Sequence, residues 1–223
     1  MVRELVNLAG MVLKSSPVGE YDRRLVILTR ERGKITAFAR GAKRPGSILM
    51  ATSQPFVFGN FRLYEGRDSY SLASAEVKNY FTEIAGEMEA ACYGSYFLEF
   101  ADYYGRENVD GTELLLLLYQ SLRALLKPAL PNALVLLVFE LRAMAANGEY
   151  TAYPPKPVSD SATYAWEFIL SSPLERLYTF VLKDEVQREL RECVEINKRR
   201  FVDREFKSLG ILREVGQLSV VGD

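Results

Sequence analysis

The feature that most constrains the fold is a change of hydrophobic period at Asn79. Before it, apolar residues alternate with polar ones or run in short β-branched stretches bounded by glycine and proline, which predicts strands. After it, they recur at three- and four-residue spacing, which predicts helices. In the first part the runs are GMVLKSS (10–16), RLVILTR (24–30), KITAFAR (34–40), FVFGNFRLYEG (56–66) and YSLASAEV (70–77). Ile35, Ala37 and Ala39 fall on one face of the third run, with Thr36, Phe38 and Arg40 on the other. Glu31-Arg32-Gly33 reads as a hairpin loop, with Gly33 at the positive-φ position. Five strands in about 80 residues, joined by short turns, fit a small closed barrel of the OB type.

The second part predicts a bundle. Phe81, Ile84, Ala85, Met88, Ala91 and Cys92 form a helical stripe. Asp110 is placed to cap a helix over 111–127 that Pro128 ends. A helix over 132–148 stops at Asn147-Gly148. Both are apolar nearly all round, so they belong at a bundle centre. Residues 173–182 and 183–209 read as two further helices, the last with Val186, Leu190, Cys193, Val194 and Phe201 as its buried stripe. The expected organisation is therefore α+β: an N-terminal five-stranded OB-fold barrel over 1–80 and an all-α helical domain over 81–223. A proline-rich loop region near 147–182 interrupts the helices.

Charge follows the same division. Residues 1–80 hold 13 Lys/Arg and 7 Asp/Glu, a net +6, whereas 81–223 hold 15 and 22, a net −7. Eight cations fall between Arg23 and Arg44, against one acid, Glu31: Arg23, Arg24, Arg30, Arg32, Lys34, Arg40, Lys43 and Arg44. Aromatic residues accompany them: Phe38, Phe56, Phe58, Phe61, Tyr64 and Tyr70. Cations that track phosphates, with rings available for bases, suit sequence-tolerant binding of single-stranded nucleic acid. Alternating strand residues face opposite ways, so the eight do not share one surface. Arg40, Lys43 and Arg44 in the loop RGAKRPGS (40–47) are the leading candidates, and Gly41 and Gly46 are expected to leave amides accessible beside them. The plainer alternative is a solvated strand face.

Several chemistries are excluded. The chain has no histidine, which removes Ser-His and Cys-His catalysis and the commonest zinc ligand. Cys92 and Cys193 are a hundred residues apart and are expected to be reduced, buried small hydrophobes. In GAKRPGS, Ser47 stands where a phosphate-loop lysine is required. Catalytic residues, cofactors and metals are expected to be none. The longest apolar stretches, 114–118 and 133–139, are too short to span a bilayer, and no signal peptide is evident. A cytoplasmic protein without a membrane partner is expected.

The block GMVLKSSPVGEYDRRLVILTRERGKITAFARGAKRPGS (10–47) resembles the RecO family of bacterial recombination mediators. It carries a Gly-Glu-x-Asp turn (Gly19, Glu20, Asp22), a T-x-E-x-G-K hairpin (Thr29, Glu31, Gly33, Lys34) and an A-x-G-A-[RK]-[RK] loop (Ala39, Gly41, Ala42, Lys43, Arg44). REFKSLGIL (204–212) is similar to the family's closing motif. The resemblance implies an OB-fold followed by a helical domain, binding of single- and double-stranded DNA, and annealing of complementary strands. It implies work with RecR, remodelling of single-stranded DNA-binding protein (SSB), loading of RecA, and association with the nucleoid when acting on DNA. It also implies that the helical domain receives the acidic SSB tail, for which Lys198, Arg199 and Arg200 are candidates. Many members carry two CxxC pairs that hold zinc. Residues 147–182 contain no cysteine or histidine, so no zinc is expected, and Tyr150, Tyr153 and Trp166 are the expected anchors of that loop. Two other classes remain open: a protein-interaction scaffold whose barrel binds peptide, and a nucleotide-dependent enzyme.

Overall fold

The computed structural model describes residues 4–208 and 210–211. Leu209 and Leu212 of the closing REFKSLGIL match, and the last residue of the helix expected over 183–209, lie outside the described residues.

Five strands close into a barrel: β1 (Leu5–Val18), β2 (Asp22–Thr29), β3 (Gly33–Ala39), β4 (Phe58–Glu65) and β5 (Tyr70–Asn79). Their order around the barrel is β1-β2-β3-β5-β4. All pairs are antiparallel except β3 with β5. The period-2 pattern sets the inner face: Leu25 and Ile27 of β2 stand opposite Ala37 and Ile35 of β3, and all four are buried. Phe61 and Leu63 of β4 join them, and Ala42 and Leu49 enter the same core from the segment after β3. That segment contains a one-turn helix, α1 (Leu49–Thr52), with no amphipathic pattern long enough to announce it. β1 is longer than the expected 10–16 because Leu5–Met11 pair with β4 before the strand shifts register near Val12 to continue along β2.

Gly33 has φ +62°, and a Cβ there would lie 2.1 Å from the Arg106 carbonyl oxygen. Both facts follow from the segment packed on the hairpin tip. The Lys34 amide donates to Arg106, that of Asn108 to Arg32, and that of Gly111 to Arg30, all to carbonyl oxygens.

The helices are α2 (Thr82–Gly86), α3 (Met88–Tyr104), α4 (Thr112–Leu125), α5 (Asn132–Ala146), α6 (Asp160–Ser171) and α7 (Asp184–Phe201). Two compact units result. One joins the chain through Thr82 to Leu98–Leu115; the other joins Glu83–Phe97 to the chain from Leu116 onward. Asp110 accepts from the Thr112 amide at the start of α4. α5 ends as expected: Gly148 has φ +76°, and the amides of Gly148 and Glu149 reach back to Ala145 and Met144. Ten residues of α5 are buried, and it packs against α6 and α7.

Four expectations are corrected. The helix expected over 183–209 ends at Phe201, where Val202 turns extended, and 202–206 are not helical. Residues 173–182 hold only a 3₁₀ turn, Leu174–Arg176, because side-chain burial rather than helix periodicity fixes the segment. Leu177 and Tyr178 are buried, and the Tyr178 hydroxyl lies 2.5 Å from that of Ser121. Burial raises the Tyr178 phenol pKa, and the Ser121 contact offsets only part of that. Ala85 and Met88 are exposed, and Ala90 takes the inward position. Finally, Tyr150 and Tyr153 are exposed and do not anchor their loop. Trp166 does: it is fully buried, and its Nε1 donates to the Thr151 carbonyl oxygen. Acids of α7 complete the hold, Glu189 accepting from the Ser159 hydroxyl at 2.6 Å and Glu192 pairing with Lys156. Cys193 is buried, which raises its thiol pKa, whereas Cys92 is partly exposed. Among the described residues no helix is long and apolar enough to cross a membrane.

Candidate nucleic-acid interface

The β2–β3 hairpin sorts its eight cations into two groups at opposite ends. Six residue steps separate Arg23 from Thr29, a span of about 20 Å. At the tip, every cation has a carboxylate. Arg30 pairs with Glu31 at 2.8 Å and Arg32 approaches Glu65 at 3.8 Å. Lys34 lies 3.3 Å from Asp102 and donates to the Asp102 carbonyl oxygen at 2.7 Å. Lys14, which sequence reasoning did not single out, holds the other oxygen of the same carboxylate at 2.6 Å. Burial pushes the Asp102 carboxyl up, but the hydrogen bonds and charge of the two lysines outweigh it and hold it below the usual carboxylate range. Backbone from Arg106 to Gly111 is hydrogen-bonded to this end, where each cation already faces a carboxylate, although the Arg30 and Arg32 side chains remain exposed.

The other end differs. Arg40, Lys43 and Arg44 are exposed, and none makes an ion pair among the described residues. Their loop is held rigidly from beneath. Ala42 is buried in the barrel core, so its neighbours face outward. The Gly41 amide donates to the Asp22 carboxylate at 2.7 Å, and the Lys43 amide to the Tyr21 carbonyl oxygen at 2.8 Å. The Arg44 amide closes a turn onto Gly41, which takes φ +67°. This corrects the expectation of an accessible amide at Gly41: the amides of Gly41, Lys43 and Arg44 are all engaged internally, whereas that of Gly46 makes no hydrogen bond among the described residues. The Asp22 of the Gly-Glu-x-Asp turn is thus a loop anchor.

Arg24 and Phe38 stand directly opposite on the outer face of β2 and β3. Arg24 is exposed and, among the described residues, reaches only the Thr36 hydroxyl, at 3.5 Å. Arg23 is half-buried and donates to the Ser15 hydroxyl, and its buried Nε has no partner among the described residues. Of the aromatic residues, Phe61 is core, Phe38, Phe56, Phe58 and Tyr70 are half-buried, and Tyr64 is exposed on β4, opposite Leu5 of β1 and Ser71 of β5. A ring that the sequence pattern did not select, Tyr21, meets one of the exposed cations, with the Arg44 guanidinium 5.0 Å from its centroid.

In the helical unit the three candidate cations separate. Arg199 and Arg200 are exposed at the end of α7, with Arg200 over the Phe201 ring. Lys198 turns inward. It is 8% exposed and pairs with Glu140 at 2.8 Å and Glu195 at 2.6 Å. Burial alone lowers a lysine pKa, but the two carboxylates prevail and raise it. Glu140, on α5, also accepts from the Tyr96 hydroxyl.

A closed five-stranded barrel with one free cationic end, followed by a helical region, defines an OB-fold protein with a helical C-terminal part. Comparison with known families makes that specific. Residues 1–81 match the family described as Recombination protein O N terminal, and residues 85–152 match Recombination protein O C terminal. The chain belongs to the RecO family of DNA repair proteins. Among curated relatives, the DNA repair protein RecO of Alkaliphilus metalliredigens is 32% identical over 169 residues, covering 74% of this chain and 67% of that protein. That of Acetivibrio thermocellus is 33% identical over 63% of this chain and 56% of its own length. The match to the Desulforudis audaxviator protein, 29% identical, covers 93% of this chain and 96% of that relative. Identity is thus concentrated in stretches spanning about half to two thirds of the first relatives, and is thinner from end to end.

Proposed function

We propose that the protein binds single- and double-stranded DNA through the cationic end of its barrel and anneals complementary strands. The barrel serves as the DNA-binding domain and the helical region as the surface for protein partners. The observation that carries this reading is the exposed, unpaired trio Arg40, Lys43 and Arg44 on a loop pinned to the barrel by Ala42, Asp22 and Tyr21. Annealing involves no covalent step. Two strands repel each other, and cations that neutralise phosphates lower that barrier. Contacts made to the backbone leave base edges free to pair. Arg24 extends the cationic surface, whereas Arg30, Arg32 and Lys34 act within the fold and Arg23 supports the barrel end.

With RecR, the protein helps load RecA onto SSB-coated single strands in this scheme. Arg199 and Arg200 are the cations free to meet an acidic SSB tail, and Lys198 supports the helix that carries them. The test is an annealing assay with two complementary oligonucleotides, one prebound by SSB. Changing Arg40, Lys43 and Arg44 together to Ala is expected to abolish acceleration by a folded protein. Undiminished annealing would overturn the assignment.

A further inference from the structure

Tyr21 sits in the three-residue turn between β1 and β2, where Val18 pairs with Asp22. It is 40% exposed. Its carbonyl oxygen takes the Lys43 amide, so the turn and the 40–47 loop are tied together directly beside the ring. Arg44, whose backbone is fixed by its bond to Gly41, lays its guanidinium at 5.0 Å from the ring centroid. The neighbouring Glu20 carboxylate raises the phenol pKa of Tyr21. An exposed ring is therefore held beside free phosphate-binding cations, with a planar cation stacked on it.

Unstacked bases bind rings and guanidinium planes through their faces, and bases inside a duplex cannot. From this we infer that Tyr21 and Arg44 form a nucleobase-stacking subsite that makes the cationic end of the barrel favour single strands over duplex. The inference rests on the DNA-binding reading above and adds to it the form of DNA that the site selects. The cations supply affinity for any phosphate backbone. Tyr21 supplies the discrimination.

The test measures fluorescence anisotropy of the full chain with a labelled oligothymidylate and with a duplex of equal length. Tyr21→Ala is expected to lose single-strand affinity roughly 5- to 150-fold, the range for one base–aromatic stack. Duplex affinity should change by less than about twofold, and the slope against log salt should stay that of the wild type, because no phosphate contact is removed. Tyr21→Phe should retain binding. Tyr64→Ala, an equally exposed tyrosine on β4 whose ring meets no cation among the described residues, should change nothing. A 2-aminopurine base in the single strand should be quenched by the wild type and not by Tyr21→Ala. If Tyr21→Ala weakens single strand and duplex equally, or neither, the subsite is overturned while the cationic interface stands. If the wild type binds neither DNA at low salt, both fall.

Discussion

Lys198→Met is the sharpest perturbation of the helical unit. The substitution keeps the length of the side chain and removes its charge. Glu140 is 1% exposed and would keep the Tyr96 hydroxyl but lose its only described cation, 2.8 Å away. A buried carboxylate left without its counter-ion costs about 3–5 kcal/mol. At roughly 2–4 °C per kcal/mol for a chain of this size, Tm should fall by about 6–20 °C. Restoring neutrality at the buried position should recover much of this: in Lys198→Met/Glu140→Gln the amide oxygen still accepts from Tyr96, and the one carboxylate left without Lys198, Glu195, is partly exposed. The pH dependence has a definite sign. The Lys198 pKa is raised by folding, so its contribution is complete below the unfolded value near 10.4 and is lost as pH rises through the higher folded value. Differential scanning calorimetry of the single and double variants at pH 7 is the assay. A single variant within about 1 °C of wild type, or a double variant no better than the single, would refute an internal role for Lys198.

Further outcomes follow from the barrel. Gly33→Ala should destabilise it by more than the roughly 1–2 kcal/mol of a left-handed non-glycine residue, because the new Cβ meets the Arg106 carbonyl; urea unfolding of the variant reads this directly. Asp102→Asn should cost about 2 kcal/mol, the usual worth of charge-assisted hydrogen bonds, by weakening its bonds to Lys14 and Lys34. The Asp102 pKa is lowered by folding, so that stabilisation is present above about pH 4 and disappears as pH falls through the folded value. The wild type's stability advantage over Asp102→Asn should therefore shrink below pH 4. Arg199→Ala and Arg200→Ala should each change stability by less than about 0.5 kcal/mol, as exposed positions do, in contrast to Lys198.

Local physics explains which parts of this were legible in the sequence. Period-2 alternation and a glycine that tolerates positive φ marked β2, β3 and their turn. Uninterrupted apolarity marked α5 as central, and the 10–47 block carried the family resemblance. What escaped notice depends on partners far along the chain. Lys198 sits in a run of charges that looks solvated, and its Glu140 partner is 58 residues away. Lys34 looks like a free hairpin cation until Asp102, 68 residues on, arrives beside it. The grouping of Leu98–Leu115 with the barrel has no local signature, because it is made by backbone bonds to Arg30, Arg32 and Lys34. Residues 173–182 have helical composition, but the burial of Leu177 and Tyr178 decides their path. In the loop, charge was visible and hydrogen-bond accounting was not, so the Gly41 amide, expected free, is occupied by Asp22.

The central claim is that three cations on one rigid loop carry the DNA contact. The direct measurement is the salt dependence of single-strand binding by anisotropy, for the wild type and for the Arg40→Ala/Lys43→Ala/Arg44→Ala variant. Each neutralised phosphate contributes about 0.7 to the log-log slope, so the wild type should show a slope of roughly −2 to −5 and the variant should lose about 2 of it. Equal slopes and equal affinities in a folded variant would contradict the account.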